Sequence, residues 1–321
     1  RVVDEDGTIL PSQADDPDGD SIKDTIAFQV ALAPGESREV AIRYGDQDVQ
    51  QPYPKRAAAY AGEKFDFSWE SDLAAFRTYF GKIDVFGKTQ PCLFMRDMEE
   101  PWVNTHDMHA MGMDILSVGA TSGLGGMNVW HDGKPYQADS YGAAGDRTIR
   151  SEPHFRILAN GPVRVLAEID QPHWQVGDRE FHATLYVEIW SGHRHSTIRT
   201  TIGSLDGEPF DFGPGMTIVG EEGYNDSENR IVWCWGDQGI HAGEIGLGVL
   251  YLDDSLAGVE EREGEMLIRY ESDGESTIET AVVGGWTRDR CFTSANDWIE
   301  FLRDLRTEIE TPVTTEILGK P

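Results

Sequence analysis

Residues 104–114 read NTHDMHAMGMD, which sets His106 and His109 three apart and places Asp114 five residues after the second. Only nine histidines occur in 321 residues, so two within four positions is a concentration that invites a chemical reading. Imidazole titrates near neutrality, and a neighbouring carboxylate fixes its tautomer. His106, His109 and Asp114 therefore suit general acid–base work. The same donors could instead hold a divalent ion, but two imidazoles and one carboxylate match no standard zinc order and lack a fourth ligand. Proton transfer without a cofactor is the preferred reading, and the ion is the alternative.

A second block, WESDLAAFRTYFGKIDVFGK at 69–88, supplies cations. Alternation along its strand puts Arg77 and Tyr79 on one face, where a guanidinium fork and a phenol suit a carboxylate-binding floor. An ordinary ion pair of Arg77 with Glu70 or Asp72 explains the same residues. A third surface comes from 179–204. Phe181, Ala183, Leu185, Val187 and Ile189 share one face of FHATLYVEIW, and His182, Thr184, Tyr186, Glu188 and Trp190 share the other. Ser196, Ile198, Thr200 and Ile202 continue the core side, while His195, Thr197 and Arg199 continue the polar one. Such a face is either a sugar platform, with rings over C–H faces and polar groups on hydroxyls, or a solvated outer face.

The elements that must position these residues are mostly strands. Long helical periodicity is scarce, and short alternations broken by Gly, Asp and Asn recur, which predicts a mainly β chain. Its length allows one large antiparallel β-sandwich over 1–321. The acidic stretch 4–20 reads as a surface loop, and TIAFQVAL and SREVAIRY around APGES read as a hairpin. Residues 61–80 predict two strands, the second long, and 101–128 a Gly- and Met-rich loop too long for an ordinary connector. GPVRVLAEID, REFHATLYVEIW and RHSTIRTTIGS predict an antiparallel meander. SANDWIEFLRDLRTEIETP predicts the one helix, with Ser294 as N-cap, Asp297 at the capping-box position and an apolar stripe of Trp298, Phe301, Leu302 and Leu305. No phosphate loop, dinucleotide fingerprint, HExxH or GxSxG occurs.

The formal charge is −30, from 57 acidic and 27 basic residues, and only seven of the cations are lysines. Acids spread along the chain with little Lys predict a salt-adapted surface, and such a field argues against nucleic acid or anionic membrane as partners. Cys92, Cys234 and Cys291 have no metal-like spacing, and small buried residues are the default. No run is long and apolar enough to span a membrane. The expected compartment is the cytoplasm, or the periplasm or exterior if a leader has been removed.

WESDLAAFRTYFGKIDVFGK, followed by HDMHAMGMDILSVGATSGLGGMNVWHDGKPY and ILANGPVRVLAEI, resembles the DUF4861 family. That family's pattern runs WESDR-AYR-Y, D-WGK, H-DHG-G-D-Y-VG---G-GG and ENGPIR. The match is good over roughly 60–170, looser beyond, and carried by three ordered motifs. It reaches Trp69, Glu70, Ser71, Asp72, Arg77, Tyr79, Asp84, Gly87 and Lys88, then His106, His109, Gly112, Asp114, Gly119, Gly125, Gly126, Gly161, Pro162 and Arg164. Leu73 stands where the family has Arg, Phe86 where it has Trp and Met111 where it has an acid, which bears on fine substrate recognition. The resemblance implies a β-sandwich akin to the galactose-mutarotase-like supersandwich, in microbes that use polysaccharides. It also implies dehydration of the non-reducing-end uronic acid of acidic oligosaccharides to a 4,5-unsaturated sugar.

That reaction removes the proton α to a carboxylate and expels the C4 substituent, so it needs a cationic clamp, a base and an acid. On this implication Arg77, Lys88 and Arg164 form the clamp, with Glu70, Tyr186 and Trp190 also binding substrate. His106, His109 and Tyr79 supply base and acid, and Asp114 orients a histidine. The expected function is a carbohydrate-active lyase or dehydratase. A mutarotase-like sugar epimerase and a non-catalytic carbohydrate-binding domain are the alternatives.

Overall fold

Along Arg179–Trp190 the pleat sends alternate side chains to opposite faces, and Phe181, Ala183, Leu185, Val187 and Ile189 are buried while the residues between them are half-exposed. In the next strand, His195–Ser204, Ser196, Ile198, Thr200 and Ile202 are buried in the same way. These strands lie in the middle of an antiparallel sheet of eight, in the order His154–Asn160, Arg164–Val176, Arg179–Trp190, His195–Ser204, Glu275–Trp286, Ile245–Tyr251, Ile231–Gly236 and Gly223–Asp226. The computed structural model describes residues 1–44, 53–62, 66–79, 81–98, 103–139, 142, 147–240, 242–253 and 255–319.

Two five-stranded antiparallel sheets form the facing layer. One runs Gly112–Asp114, Lys82–Lys88, Ala75–Tyr79, Phe67–Ser71, Ala57–Ala61. The other runs Lys134–Gln137, Leu124–His131, Phe210–Thr217, Glu265–Ser272, Leu256–Arg262. A parallel bridge from Ile83 to Gly123 joins them edge to edge. One apolar core fills the space between layers, drawing Phe67, Trp69, Phe76, Ile83 and Val85 from the first sheet and the inner residues of the sheet of eight. Each such large side chain, removed from water, contributes about 1.5–3 kcal/mol. Trp69 Nε1 donates to Ser196 Oγ at 2.8 Å, a polar tie between the layers. The result is the mainly β antiparallel sandwich that the alternation predicts.

The register of the first five-stranded sheet decides what faces outward. Trp69, Phe76 and Val85 are cross-strand partners on the core side. Ser68, Arg77 and Asp84 form one row on the other side, and Glu70, Ala75, Phe86 and Asp114 form the next. Two glycines of the recognised motifs permit this packing: a Cβ at Gly87 would lie 2.4 Å from the Trp286 ring, and one at Gly112 would lie 2.1 Å from the Gly87 carbonyl oxygen.

The C-terminal helix, Ala295–Glu310, covers part of the outer face of the sheet of eight. Trp298, Leu302 and Leu305 are buried there with Ile231, Leu250, Ala281 and Val283. Ser294 caps it by accepting from Asp297 N at 3.2 Å. The Asp297 carboxylate turns instead to the Thr293 backbone N–H and hydroxyl, at 2.9 and 2.6 Å, one residue earlier than a capping box requires.

The N-terminal region departs from expectation. Residues 4–20 are not a single loop, since Ile9–Leu10 and Ser12–Asp15 are strands. Thr25–Phe28 and Val40–Ile42 do not pair with each other: the first pairs with Ser12–Asp15 and the second with Val2–Asp4. Alternation marks a strand but not its partner, and the turn at 33–36 forms without closing a hairpin. Lys82–Lys88 is a seven-residue strand where the sequence pattern assigns no element, and the stretch 101–128, which reads as one loop, contains the strand Gly112–Asp114 and the start of Leu124–His131. Of the cysteines, Cys234 is buried, but Cys92 is half-buried and Cys291 exposed. No described helix is long and apolar enough to cross a membrane.

Candidate active site

Arg77 is the centre of the polar outward row. Its Nη2 donates to Asp84 Oδ2 at 3.0 Å and lies 3.4 Å from Asp114 Oδ2. The guanidinium is clamped between the Tyr79 and Phe86 rings, 5.1 and 4.9 Å from their centroids. Both acids are buried. Asp84 Oδ1 accepts from Val85 N at 2.9 Å, and Asp114 Oδ1 accepts from Leu116 N at 3.2 Å. Burial and the adjacent Asp114 charge push the Asp84 carboxyl well above the usual carboxylate range; burial also raises Asp114, opposed by its hydrogen bond with Asp84 and by Arg77. Burial works against the Arg77 charge, but the two acids more than offset it and raise its pKa. Burial likewise pushes the Tyr79 phenol up, which keeps it protonated.

The stretch that carries the histidines is closed on itself by two backbone bonds, Asp114 N to Thr105 O at 2.8 Å and His109 N to Gly112 O at 3.1 Å. Within it the two rings part company. His106 Nδ1 stands 3.6 Å from Asp114 Oδ2, and its side chain is 48% exposed. Thr105 Oγ1 donates to the same carboxylate oxygen at 3.3 Å. His109 Nε2 instead lies 2.9 Å from the Asn104 carbonyl oxygen. His106, His109 and Asp114 thus do not converge as metal ligands. The one trio of such donors gathered within 4.8 Å among the described residues is Asp16, Asp18 and Asp20, an acidic turn whose carboxylates accept backbone N–H groups.

Lys88 and Glu70 lie on the same sheet face but are fully engaged in holding it together. The Lys88 ammonium pairs with Glu70 and donates to the Ser71 and Cys92 carbonyls, at 2.6 and 2.7 Å for the carbonyls. Glu70 in turn accepts from Phe94 N and Met95 N, at 3.1 and 3.0 Å, capping the single turn Met95–Met98. Phe94, Met95 and Met98 pack over Ala75 and Phe86, so this pair pins a covering segment to the sheet. With three acceptors already on its ammonium, Lys88 has no donor left for a substrate.

Arg164, Tyr186 and Trp190 are on the other outer surface, that of the sheet of eight, with two layers between them and Arg77. The expected clamp of Arg77, Lys88 and Arg164 is therefore not one constellation. Arg164 binds Asp15 of the N-terminal hairpin at 2.9 Å and Glu188 at 3.2 Å, and lies over the Trp190 ring at 5.3 Å. Tyr186 sits in a cross-strand row with Glu168 and Arg199, whose guanidinium covers its ring at 4.9 Å. Asp84 is the member of this buried polar row to which sequence reasoning gave no role. The alternation of KIDVFGK places it on a face with Phe86 and Lys88, and the strand register sets it opposite Arg77.

Residues 1–315 match the family described as "Domain of unknown function (DUF4861)". Uncharacterized protein P7 of Formosa agariphila is 19% identical over 345 residues, covering 96% of this chain and 82% of that protein. Among solved structures, a putative kojibiose phosphorylase from the human microbiome aligns with a TM-score of 0.44 at 9% identity over 75% of this chain. This chain spans only 32% of that phosphorylase. The Slr1438 protein of Synechocystis sp. PCC 6803 aligns with a TM-score of 0.28 at 9% identity, over 76% of this chain and 100% of that protein.

Proposed function

The chain belongs to the DUF4861 family, and we propose that it is a carbohydrate-active lyase that dehydrates the non-reducing-end uronic acid of acidic oligosaccharides. The observation that carries this reading is His106, an exposed imidazole whose Nδ1 faces a buried carboxylate at 3.6 Å, beside a partly buried guanidinium and a phenol. Asp114 holds His106 with its Nε2 available as a base, which takes the proton from the carbon α to the substrate carboxylate. The C–H electron pair forms the new C4–C5 double bond as the C4–O bond breaks. The Tyr79 phenol gives its proton to the departing oxygen, which leaves as water. Two acids that share one proton leave the Arg77, Asp84 and Asp114 trio neutral, so a substrate carboxylate meets no net negative charge there. The scarcity of Lys and the spread of acids support a protein that works in concentrated salt.

The test is incubation with non-reducing-end glucuronyl oligosaccharides in high salt, read by mass spectrometry and ultraviolet absorbance. Loss of one water with a new conjugated chromophore is the expected result. A broad acidic panel with no such loss sinks the lyase reading. Altered optical rotation without absorbance would favour an epimerase.

A further inference from the structure

Asp84 and Asp114 present their Oδ2 atoms to one nitrogen, Arg77 Nη2, at 3.0 and 3.4 Å, and both are buried. Two full charges held against one cation out of water are costly, and a proton between them removes the excess. The donors around the pair decide which carboxyl keeps it. Asp114 receives the Leu116 N–H and the Thr105 hydroxyl, at 3.2 and 3.3 Å, and faces His106. Among the described residues, Asp84 receives only the Val85 N–H besides Arg77. Hydrogen bonds to a carboxylate favour its charged form, so the better-supplied Asp114 stays ionised.

We infer that Asp84 is a positioning residue that carries a proton at neutral pH, donates it to Asp114, and so holds Asp114 as the single carboxylate that orients His106. Its catalytic consequence rests on the lyase reading, whereas the protonation is a property of the resting protein. The charged and titratable groups that face the pair are Arg77 and Tyr79 on their strand, Asp66 before Phe67–Ser71, and His106 in the closed loop. Of these only Arg77 is a fixed cation, and it serves both acids. The upward displacement of the Asp84 carboxyl by burial and by Asp114 agrees with this assignment.

The experiment is an infrared difference spectrum of the whole chain at neutral pH, wild type minus Asp84→Asn. A protonated-carboxyl carbonyl stretch present in the wild type and absent from the variant is expected; its absence from the wild type overturns the inference. If Asp84→Asn does not fold, side-chain carboxyl NMR of the wild type replaces it, and every Asp being ionised at neutral pH is the overturning result. Asparagine keeps an N–H donor toward Asp114, so Asp84→Asn is expected to restore most of the turnover lost in Asp84→Ala, a rescue of about tenfold or more. Equal turnover in the two variants also overturns it. A wild type that turns over no uronyl oligosaccharide refutes the lyase reading alone, because the infrared result still decides the proton.

Discussion

His106 Nδ1 and Asp114 Oδ2 stand 3.6 Å apart, with the imidazole half-exposed and the carboxylate buried beneath it. On the proposed lyase reading this favours His106, rather than His109, as the base. Replacing His106 with Ala is expected to lower kcat by about 10²–10⁴-fold, the range for loss of a positioned proton acceptor, with an unchanged circular dichroism spectrum. His109→Ala removes a bond to the Asn104 carbonyl and is expected to cost less. A larger loss at His109 than at His106 would reverse the assignment.

Lys88 and Glu70 form a buried ion pair whose other polar atoms are satisfied by backbone. Removing one partner leaves the other charge uncompensated. Lys88→Met is therefore expected to lose about 3–5 kcal/mol of stability in urea unfolding. Adding Glu70→Leu should recover only part of this, since Glu70 also caps Phe94 and Met95. A Lys88→Met protein as stable as wild type but unable to bind substrate would return Lys88 to the clamp.

The Asp84 carboxyl, raised by burial and by Asp114, gives stability a defined dependence on pH. The native state keeps a proton that the unfolded chain releases above its ordinary value of 3.8. Its contribution is therefore full below that value and is lost as pH rises toward the raised one. The slope from this group approaches about 1.4 kcal/mol per pH unit. Urea midpoints measured across this window should fall more steeply with pH in the wild type than in Asp84→Asn. Parallel slopes would mean that Asp84 is ionised in the folded protein.

Arg164 joins the sheet of eight to the hairpin of Ser12–Asp15 and Thr25–Phe28 through Asp15. Arg164→Gln is expected to speed proteolytic cleavage within the first thirty or so residues while leaving kcat within about twofold. A large fall in kcat with an intact N-terminal region would bring the two outer surfaces back into one site.

Much of the fold was legible because burial of one sheet face enforces alternation. Phe181 through Ile189 and Ser196 through Ile202 declare their inner sides residue by residue. The strand carrying Arg77 and Tyr79 was legible for the same reason, although Ala75–Tyr79 is no longer than Phe67–Ser71 before it. Partners were not, since pairing depends on contacts distant in sequence; the two N-terminal runs read as a hairpin and pair elsewhere. Asp84 shows the limit at the site. Its chemistry arises from the register that sets it against Arg77 and diagonally beside Asp114, not from any local pattern. The same register turns Lys88 and Glu70, which look like substrate ligands in one dimension, into a brace. Arg164 matches a motif for a reason that its neighbours Asp15 and Glu188 explain without substrate.

The stretch from Thr105 to Asp114 begins and ends at one hydrogen bond, from the second residue's N–H to the first residue's carbonyl, while the neighbouring segment is anchored separately by Glu70 and Lys88. It is thus a cassette with its own clasp. Its tip is not free of the scaffold, however: the Met111 carbonyl accepts from the Thr89 backbone N–H and hydroxyl at 2.9 and 3.2 Å, and a Cβ at Gly112 would meet the Gly87 carbonyl, so any redesign of the loop has to keep the glycine and that acceptor while it varies the residues from His106 to Ala110.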